Sequence, residues 1–377
     1  MLKILVSLLL LAWMAFPSLA ARDVWTGVGR IVAIGDLHGD YGQFMTLLQQ
    51  TRLVNKDGRW TGGKTHLVQV GDVPDRGPDT RKILDLLMRL QKQAKKSGGY
   101  VHALIGNHDA MNVYGDLRYV TPEEFAAFRT PNSERVRDAY YKQDVEWLKQ
   151  HTPKGKRPTF DAAYKKKWYA EHPLGWVEHR QAYGPNGKYG KWIRRHNTVI
   201  RVNDTLFLHA GISARFAAMP IREINDRVRK ELNDPRLLTP DGIVRASDGP
   251  LWYRGMARGN EQELAPLVKT VLANFQVKRI VIGHSPTAGT VIPRFGGRVL
   301  VIDVGLSKVY GHRLACLVIE NDHPYTLHRG KRLELPGDSR EALLNYLKQA
   351  AALDPRPSPL EPLIKRLSAA PAPAVTQ

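Results

Sequence analysis

The chain has 377 residues, of which 43% are hydrophobic and 24% charged. That is enough apolar material for a large core, and it excludes wholesale disorder. The formal net charge of +20 directs attention to anionic partners, whether nucleic acid, anionic lipid or an anionic substrate.

The opening residues, MLKILVSLLLLAWMAFPSLA, carry one lysine, an apolar run from Ile4 to Phe16 and a Ser18-Leu19-Ala20 ending. This is the order of a secretory signal peptide over residues 1–20, cleaved after Ala20, and it implies a periplasmic or secreted mature chain. The alternative, a retained anchor, asks more of the run than its length gives, because a bilayer span needs about 20 apolar residues. No transmembrane segment is expected after cleavage. The only cysteine, Cys316, excludes an internal disulfide; within the strand-like HRLACLVIE it reads as a small buried residue.

Residues 24–352 read as one α/β domain. RIVAIGD is a buried strand ending in Gly35-Asp36, followed by a helix carrying Phe44, Leu47 and Leu48. THLVQVGD repeats the strand-to-Gly-Asp switch. Pro78 suits the first turn of the next helix, whose apolar face is Ile83, Leu84, Leu87 and Leu90. GGYVHALIGNHD is a third strand, ending in Gly106-Asn107-His108. Asp36, Asp72 and Asn107 thus recur at intervals of 36 and 35 residues, each long enough for one β-α-β unit. Parallel strands joined in this way bring their carboxyl ends to one sheet edge. The three polar switches therefore belong to one site.

A helical insert is expected over about residues 118–195, opening at Thr121-Pro122-Glu123-Glu124 as a capped start. From Lys142 to Arg195 it holds 13 Lys or Arg against 5 Asp or Glu, interleaved with aromatic residues that include Trp176, Tyr183, Tyr189 and Trp192. Two roles stay open for it: aromatic packing in a lid over the sheet edge, or a wall that recognises phosphotyrosine or docks acidic peptides. The second half is richer in strands. NTVIRV and TLFLHAGIS form a hairpin ending at His209, VKRIVIGHSPT is a strand ending at His284, and GTVIPRFGGRVLVIDVG is a hairpin about Gly296-Gly297. Residues 221–232, 260–274 and 339–351 read as helices, and residues 353–377 as a mobile Pro- and Ala-rich tail.

GDLHGD, GDVPDRG, GNHD, LHAG and IGHS place Asp36, His38, Asp72, Asp75, Arg76, Asn107, His108, His209 and His284 at or beside strand ends. Carboxylate, amide and imidazole donors without thiolate suit divalent Mn, Fe or Zn. A shared carboxylate can bridge two such ions and hold a hydroxide between them, and a neighbouring arginine offers a planar fork for phosphate. Any one stretch alone is ordinary turn chemistry; five in this order, each after an apolar strand, are a site. Other chemistries lack their motifs. GGKT at 62–65 has no upstream glycine spacing for a P-loop, no serine sits in a nucleophile elbow, and Cys316 lacks phosphatase-loop neighbours.

GDLHGD, GDVPDRG and GNHD resemble the phosphoprotein phosphatase family, within the calcineurin-like metallophosphoesterases. GNHDAMNVYGDLRYV, the helical insert and LWYRG are similar to its Shewanella-like branch, and the resemblance covers roughly Arg30 to Ser307. It implies an α/β sandwich of two mixed β-sheets flanked by helices, where strand order alone gives only a layered α/β domain. It also implies two divalent metal ions, Mn foremost: one held by Asp36, His38 and Asp72, the other by Asp72, Asn107, His209 and His284. Arg76 and Arg254, with Asn107, would hold the substrate phosphate. His108 would protonate the leaving oxygen, with Asp75 orienting its ring. The implied activity is a phosphomonoesterase acting on phosphorylated protein or peptide and favouring phosphotyrosine, by in-line attack of a hydroxide activated between the two metals.

Where eukaryotic phosphoserine/threonine members carry Arg and Glu around Gly-Asn-His, this chain has Ile105 and Asp109, and a Ser-Ala-Pro-Asn-Tyr element is missing. The partner subunits and inhibitor sensitivities of that branch are therefore not carried over. The alternative within the chemistry is a dinucleotide polyphosphate or nucleotide phosphohydrolase, which shares the early motifs and would stack a base on the insert. A nucleic-acid or envelope binder driven by charge alone leaves the metal-type residues unexplained, so no dedicated nucleic-acid partner is expected. Nothing in the sequence sets the oligomeric state.

Overall fold

The strand-to-glycine switches of the sequence all fall on two facing sheets. The computed structural model describes residues 22–369, so the signal-peptide expectation lies outside the described residues. The strands are β1 (Val24–Trp25), β2 (Arg30–Ile34), β3 (His66–Gln69), β4 (Tyr100–Ala103), β5 (Val199–Val202) and β6 (Thr205–Leu208) in the first half of the order. β7 (Arg279–Ile282), β8 (Ile292–Arg294), β9 (Val299–Val301), β10 (Ala315–Glu320), β11 (His323–His328) and β12 (Lys331–Glu334) follow. One sheet runs β1-β5-β6-β7-β9-β8 and the other β12-β11-β10-β2-β3-β4.

Both sheets are mixed, as expected. β2, β3 and β4 are parallel neighbours, and β10 closes onto β2 antiparallel. In the other sheet β6, β7 and β9 are parallel, with β5 and β8 antiparallel beside them. Alternation along β2 explains why its sequence reads as a continuous apolar run. Ile31 and Ala33 pack with Phe207, Val281 and Leu300 of the facing sheet, while Val32 and Ile34 pack with the helices behind.

Helices α1 (Tyr41–Gln50), α2 (Thr80–Lys96) and α3 (Asn107–Tyr114) follow β2, β3 and β4. The buried face of α2 holds Ile83, Leu84, Leu87 and Leu90. This helix starts at Thr80 behind Asp79, two residues later than Pro78 marks. The insert is helical: α4 (Pro122–Ala126), α5 (Ser133–His151), α6 (Ala162–Glu171), α7 (Trp176–Tyr183) and α8 (Lys188–Ile193). The hydroxyl of Thr121 caps α4 by accepting the Glu124 N–H at 3.2 Å. α9 (Ile221–Asn233), α10 (Gly255–Arg258), α11 (Glu261–Phe275), α12 (Arg340–Leu353) and α13 (Glu361–Ala369) complete the order.

The expectation of a mobile tail from residue 353 does not hold over the described part. Leu360 is fully buried with Leu333, Tyr346 and Leu347, and Leu363, Ile364 and Leu367 of α13 pack against the same cluster. Asp354 anchors the turn between α12 and α13 by accepting from Arg329 at 2.8 Å and pairing with His328 at 3.0 Å. The proline-rich composition masked an i, i+3, i+4, i+7 apolar stripe. Leu360→Ala is expected to destabilise the fold by about 2–4 kcal/mol in denaturant unfolding; a change near zero would return this segment to the status of a tail.

Candidate metal centre

Six parallel strands deliver the site. Asp36, Asp72 and Asn107 follow β2, β3 and β4, while His209, His284 and Asp303 follow β6, β7 and β9. The glycine before each switch has a steric reason. A Cβ on Gly106 would lie 2.2 Å from Asp72 Oδ1, and one on Gly283 would lie 2.4 Å from Asp36 Oδ1. Only glycine lets the strand ends approach this closely.

Asp72 is the centre. It is 1% exposed, and its Oδ1 accepts the backbone N–H of His108 at 2.9 Å. Its Oδ2 lies 3.3 Å from His209 Nε2 and 3.9 Å from Nε2 of both His38 and His108. Burial alone would raise its pKa, but the imidazoles of His209 and His108 outweigh burial and hold it well below the usual carboxylate value.

The imidazoles are oriented from behind. His38 Nδ1 donates to the carbonyl of Pro74 at 3.1 Å and His209 Nδ1 to that of Val70 at 3.0 Å. Each ring therefore turns its Nε2 inward. Around His209 Nε2 stand Asn107 Oδ1 at 2.9 Å, His284 Nδ1 at 3.1 Å and Asp72 Oδ2. His284 Nε2 is buried with no hydrogen-bond partner. Burial pushes the pKa of His38 down to about 3 and that of His284 down to about 2, so both rings are neutral near pH 7.

Lone pairs converging on one another without protons between them are repulsive, and a divalent cation is what removes the repulsion. Two groups of candidate ligand atoms lie close enough together to surround such a cation: His38, Asp72 and His108 in one, Asp72, His209 and His284 in the other, with the atoms of each group within 4.8 Å of one another. Asp72 is common to both. Asp36 joins the first group from 3.9 Å, measured from its Oδ2 to His38 Nε2. The donor set thus fits two hard or borderline cations sharing one carboxylate.

Sequence reasoning missed Asp303. It is buried beside Asp36; burial, then the Asp303 and Asp72 charges, raises Asp36 well above its usual value, while burial, then the Asp72 charge, raises Asp303 to about 6. Two carboxyls that cannot both ionise in this environment are a further sign of a missing positive charge. The signal was present, since RVLVID is an apolar strand ending in Asp, like those before Asp36 and Asp72.

His108 stands apart from the other imidazoles. Its Nδ1 lies 2.5 Å from Asp75 Oδ2, and Asp75 is held in turn by the Asn112 amide at 2.9 Å. Burial lowers the His108 pKa, but Asp72 and Asp75 outweigh it and the net shift is upward. Arg76 lies between two rings, 4.4 Å from Tyr119 and 5.5 Å from Tyr310, with its Nε unpaired. Arg254 lines the same cleft, but its Nη1 is committed to the His284 carbonyl at 2.5 Å and to Ser285 Oγ at 3.1 Å. The cleft has a volume of about 300 Å³, and Tyr119, Trp252 and Tyr310 stand at its walls.

Of the two roles left open for the insert's aromatic residues, a wall at this cleft is not the one they take. None of Trp176, Tyr183, Tyr189 and Trp192 lines this cleft. Tyr183 and Tyr189 are buried, Trp192 donates its indole N–H to Gln91 at 2.8 Å, and Trp176 packs on Tyr140.

Glu124 was also missed. It is fully buried under the Asp75 loop, and its Oε1 accepts the Asp75 N–H at 3.4 Å. Burial, then the Asp75 charge, pushes its carboxyl well above the usual value. A carboxyl whose folded pKa is raised costs stability above its unfolded pKa, and the cost grows until pH passes the folded value. Glu124→Gln keeps the shape and removes the titration. Its melting temperature is expected to gain more on wild type at about pH 8 than at about pH 5 by scanning calorimetry. A difference independent of pH would mean that Glu124 is ionised in the fold.

Comparison with known proteins agrees with this geometry. Residues 29–288 match the family described as Calcineurin-like phosphoesterase. The chain is 32% identical to an uncharacterized protein of Schizosaccharomyces pombe, over 81% of this chain and 82% of that one. It is 29% identical to Shewanella-like protein phosphatase 2 of Arabidopsis thaliana, over 74% of this chain and 72% of that one. Among solved structures it is similar to the cold-active protein-tyrosine phosphatase of a psychrophilic Shewanella species. That likeness has a TM-score of 0.62 and 27% identity, covering 83% of this chain and 82% of the other. The chain belongs to the calcineurin-like phosphoesterase family, on the branch of the Shewanella-like protein phosphatases, and is a metallophosphatase.

Proposed function

We propose that the protein hydrolyses phosphomonoesters on proteins or peptides, with phosphotyrosine preferred, and that His108 is the general acid. The observation that carries this reading is an aromatic frame around a proton donor. Tyr119 lies 4.9 Å from the His108 ring, Tyr310 lies 5.2 Å from that of His38, and Trp252 lies 6.0 Å from that of His284. A phenyl ester entering between these rings gains stacking contacts that an alkyl ester does not. The similarity to a protein-tyrosine phosphatase points the same way.

In this reading Asp36, His38 and Asp72 hold one divalent metal and Asp72, Asn107, His209 and His284 the other, with Mn the first choice. When bound, such a pair supplies Lewis-acid activation of water and neutralises phosphate charge. Arg76, with its unpaired Nε, offers the planar fork that grips equatorial phosphate oxygens, and the two tyrosine faces hold it in place. Arg254 contributes from the opposite wall while fixing the His284 loop. Asp75 accepts from His108 Nδ1, so the proton on Nε2 is the one available to the leaving phenoxide. The Asp72 and Asp75 carboxylates, which outweigh burial and shift the His108 pKa upward, favour that proton.

Phosphate release from matched phosphotyrosine and phosphoserine/threonine peptides, with Mn²⁺ added, is expected to favour tyrosine strongly and to vanish in Asp72→Asn. Release from neither peptide by metal-loaded protein would transfer the site to nucleotide or other small phosphoesters. His108→Asn is expected to lower turnover by about 10²–10⁴-fold with bound metal unchanged; loss of metal in that variant would sink the acid assignment. The reading includes export to the periplasm or beyond. The intact mass of the exported chain is expected to begin at Ala21, and a chain beginning at Met1 would overturn cleavage.

A further inference from the structure

The insert places a second site far from the metal centre. α8 is fastened along the outer face of α2 by paired contacts: Asp85 takes Lys188 in an ion pair and the Tyr189 hydroxyl at 2.9 Å, and Gln91 takes Trp192 at 2.8 Å and His196 at 3.3 Å. Between the two helices lies a groove of about 480 Å³ with Tyr100 and Trp192 in its walls. Lys92 and Lys95 stand on one bank, and Lys191 and Arg195 on the other. All four are exposed, and among the described residues none of their side chains has an ion pair or hydrogen bond. Among the described residues no carboxylate lines the groove, and the nearby Asp85 is already paired with Lys188 and Tyr189.

Four uncompensated cations across a trough repel one another and are relieved by an anionic chain lying between them. We propose that this groove docks an acidic segment of the phosphoprotein substrate; the substrate role rests on the protein-phosphatase reading above. A peptide fits better than a nucleic acid. A single-strand site needs a run of open aromatic faces for successive bases. Here Trp192 is tied by its indole N–H and packed edge-on against His196, which leaves Tyr100, 38% exposed, as the one open ring.

Geometry sets the spacing. α2 starts at Thr80, close after Arg76, and Lys95 lies near its far end, roughly 20 Å along the axis. A bridging chain needs at least about six or seven extended residues, and more to follow the surface. The groove therefore reads acidic residues remote from the phosphotyrosine, and the gain comes from effective concentration.

The test compares three phosphotyrosyl peptides: a Glu-rich run about ten residues from the phosphotyrosine, the same run about two residues away, and a Gly/Ser control. Wild type is expected to show about tenfold lower KM, with unchanged kcat, for the distant run alone. The quadruple variant Lys92→Glu, Lys95→Glu, Lys191→Glu, Arg195→Glu should lose that advantage and still hydrolyse p-nitrophenyl phosphate as wild type does. The milder set of Gln substitutions at the same positions covers the case in which charge reversal prevents folding. Equal KM for all three peptides, or an advantage that the variants retain, overturns the proposal. So does an oligonucleotide that binds the groove more tightly than the Glu-rich peptide. Failure of the phosphatase reading shows separately, as no phosphate release from any of the three. The groove is then read by fluorescence anisotropy of the Glu-rich peptide without phosphotyrosine. Binding by wild type and not by the variants sustains the docking site, and no binding overturns it.

Discussion

Asp72 is a carboxylate taken fully out of water and kept ionised, and both sheets are arranged around that requirement. A buried carboxylate on its own would rather hold a proton. This one escapes because β3 ends between β2 and β4, so that the His108 N–H reaches its Oδ1 from one side, and because β6 of the facing sheet brings His209 to its Oδ2 from the other. The two-sheet architecture is thus more than a scaffold. A single sheet supplies His38 and His108, and the second sheet supplies His209, the strongest of the interactions that make the charge tolerable.

The same region holds its side chains by bending the backbone. His38, Asp72, Asp75, Arg76 and His284 all have φ between 41° and 73°, the left-handed region that residues with a Cβ adopt at an energetic cost of order 1 kcal/mol or more each. Those turns persist because the surroundings fix them. The carbonyl of Asp72 receives N–H groups from Leu37 at 3.0 Å and His38 at 3.1 Å, and Asp109 Oδ2 accepts from Asp72 at 2.7 Å and Gly106 at 2.9 Å. Asp109 therefore clamps two strand ends together, and that is what the acid after Gly-Asn-His does in this chain. Its own carboxyl is raised to about 7, first by burial and then by the Asp72 charge.

What was legible in the sequence follows from how local each signal is. Asp36, Asp72, Asn107, His209 and His284 each close an apolar strand, so a short window carries both the element and its chemistry, and the structure brings all five to one place. Asp303 closes an apolar strand and carries the same local signal, but that strand is only three residues long and reaches the site by parallel pairing with β7. Glu124 and Tyr310 reach the centre through tertiary folding from an insert and a loop, and nothing in their neighbourhoods marks them. The insert's aromatic residues were legible as aromatic but not as to which surface they face, because α7 and α8 pack on neighbours far away in sequence. The segment after Leu353 was misjudged for a different reason: proline content outweighed a helical stripe that was present.

The basic insert now divides into two parts by what its cations touch. Arg180 donates to the Asn112 carbonyl at 2.7 Å, and Arg194 donates to the Val113 carbonyl at 3.4 Å. These are carbonyls in the last turn of α3, the helix whose first turn carries Asn107 and His108. Guanidinium groups at a helix C-terminus satisfy unpaired carbonyls and complement the dipole. Arg194 also ties this helix to the Tyr183 carbonyl at 3.1 Å and to the end of α9 through the Leu232 carbonyl at 3.0 Å. From the opposite end, Glu124 holds the Asp75 loop that orients His108. The inward-facing charges of the insert thus brace His108 and Asp75 from behind. Of the exposed ones on α8 and just after it, Lys188 is paired with Asp85, whereas Lys191 and Arg195 have no carboxylate partner among the described residues. A stretch that composition alone labels simply as basic is on one face a frame for the helix that carries Asn107 and His108 and on the other a surface with charge to spare.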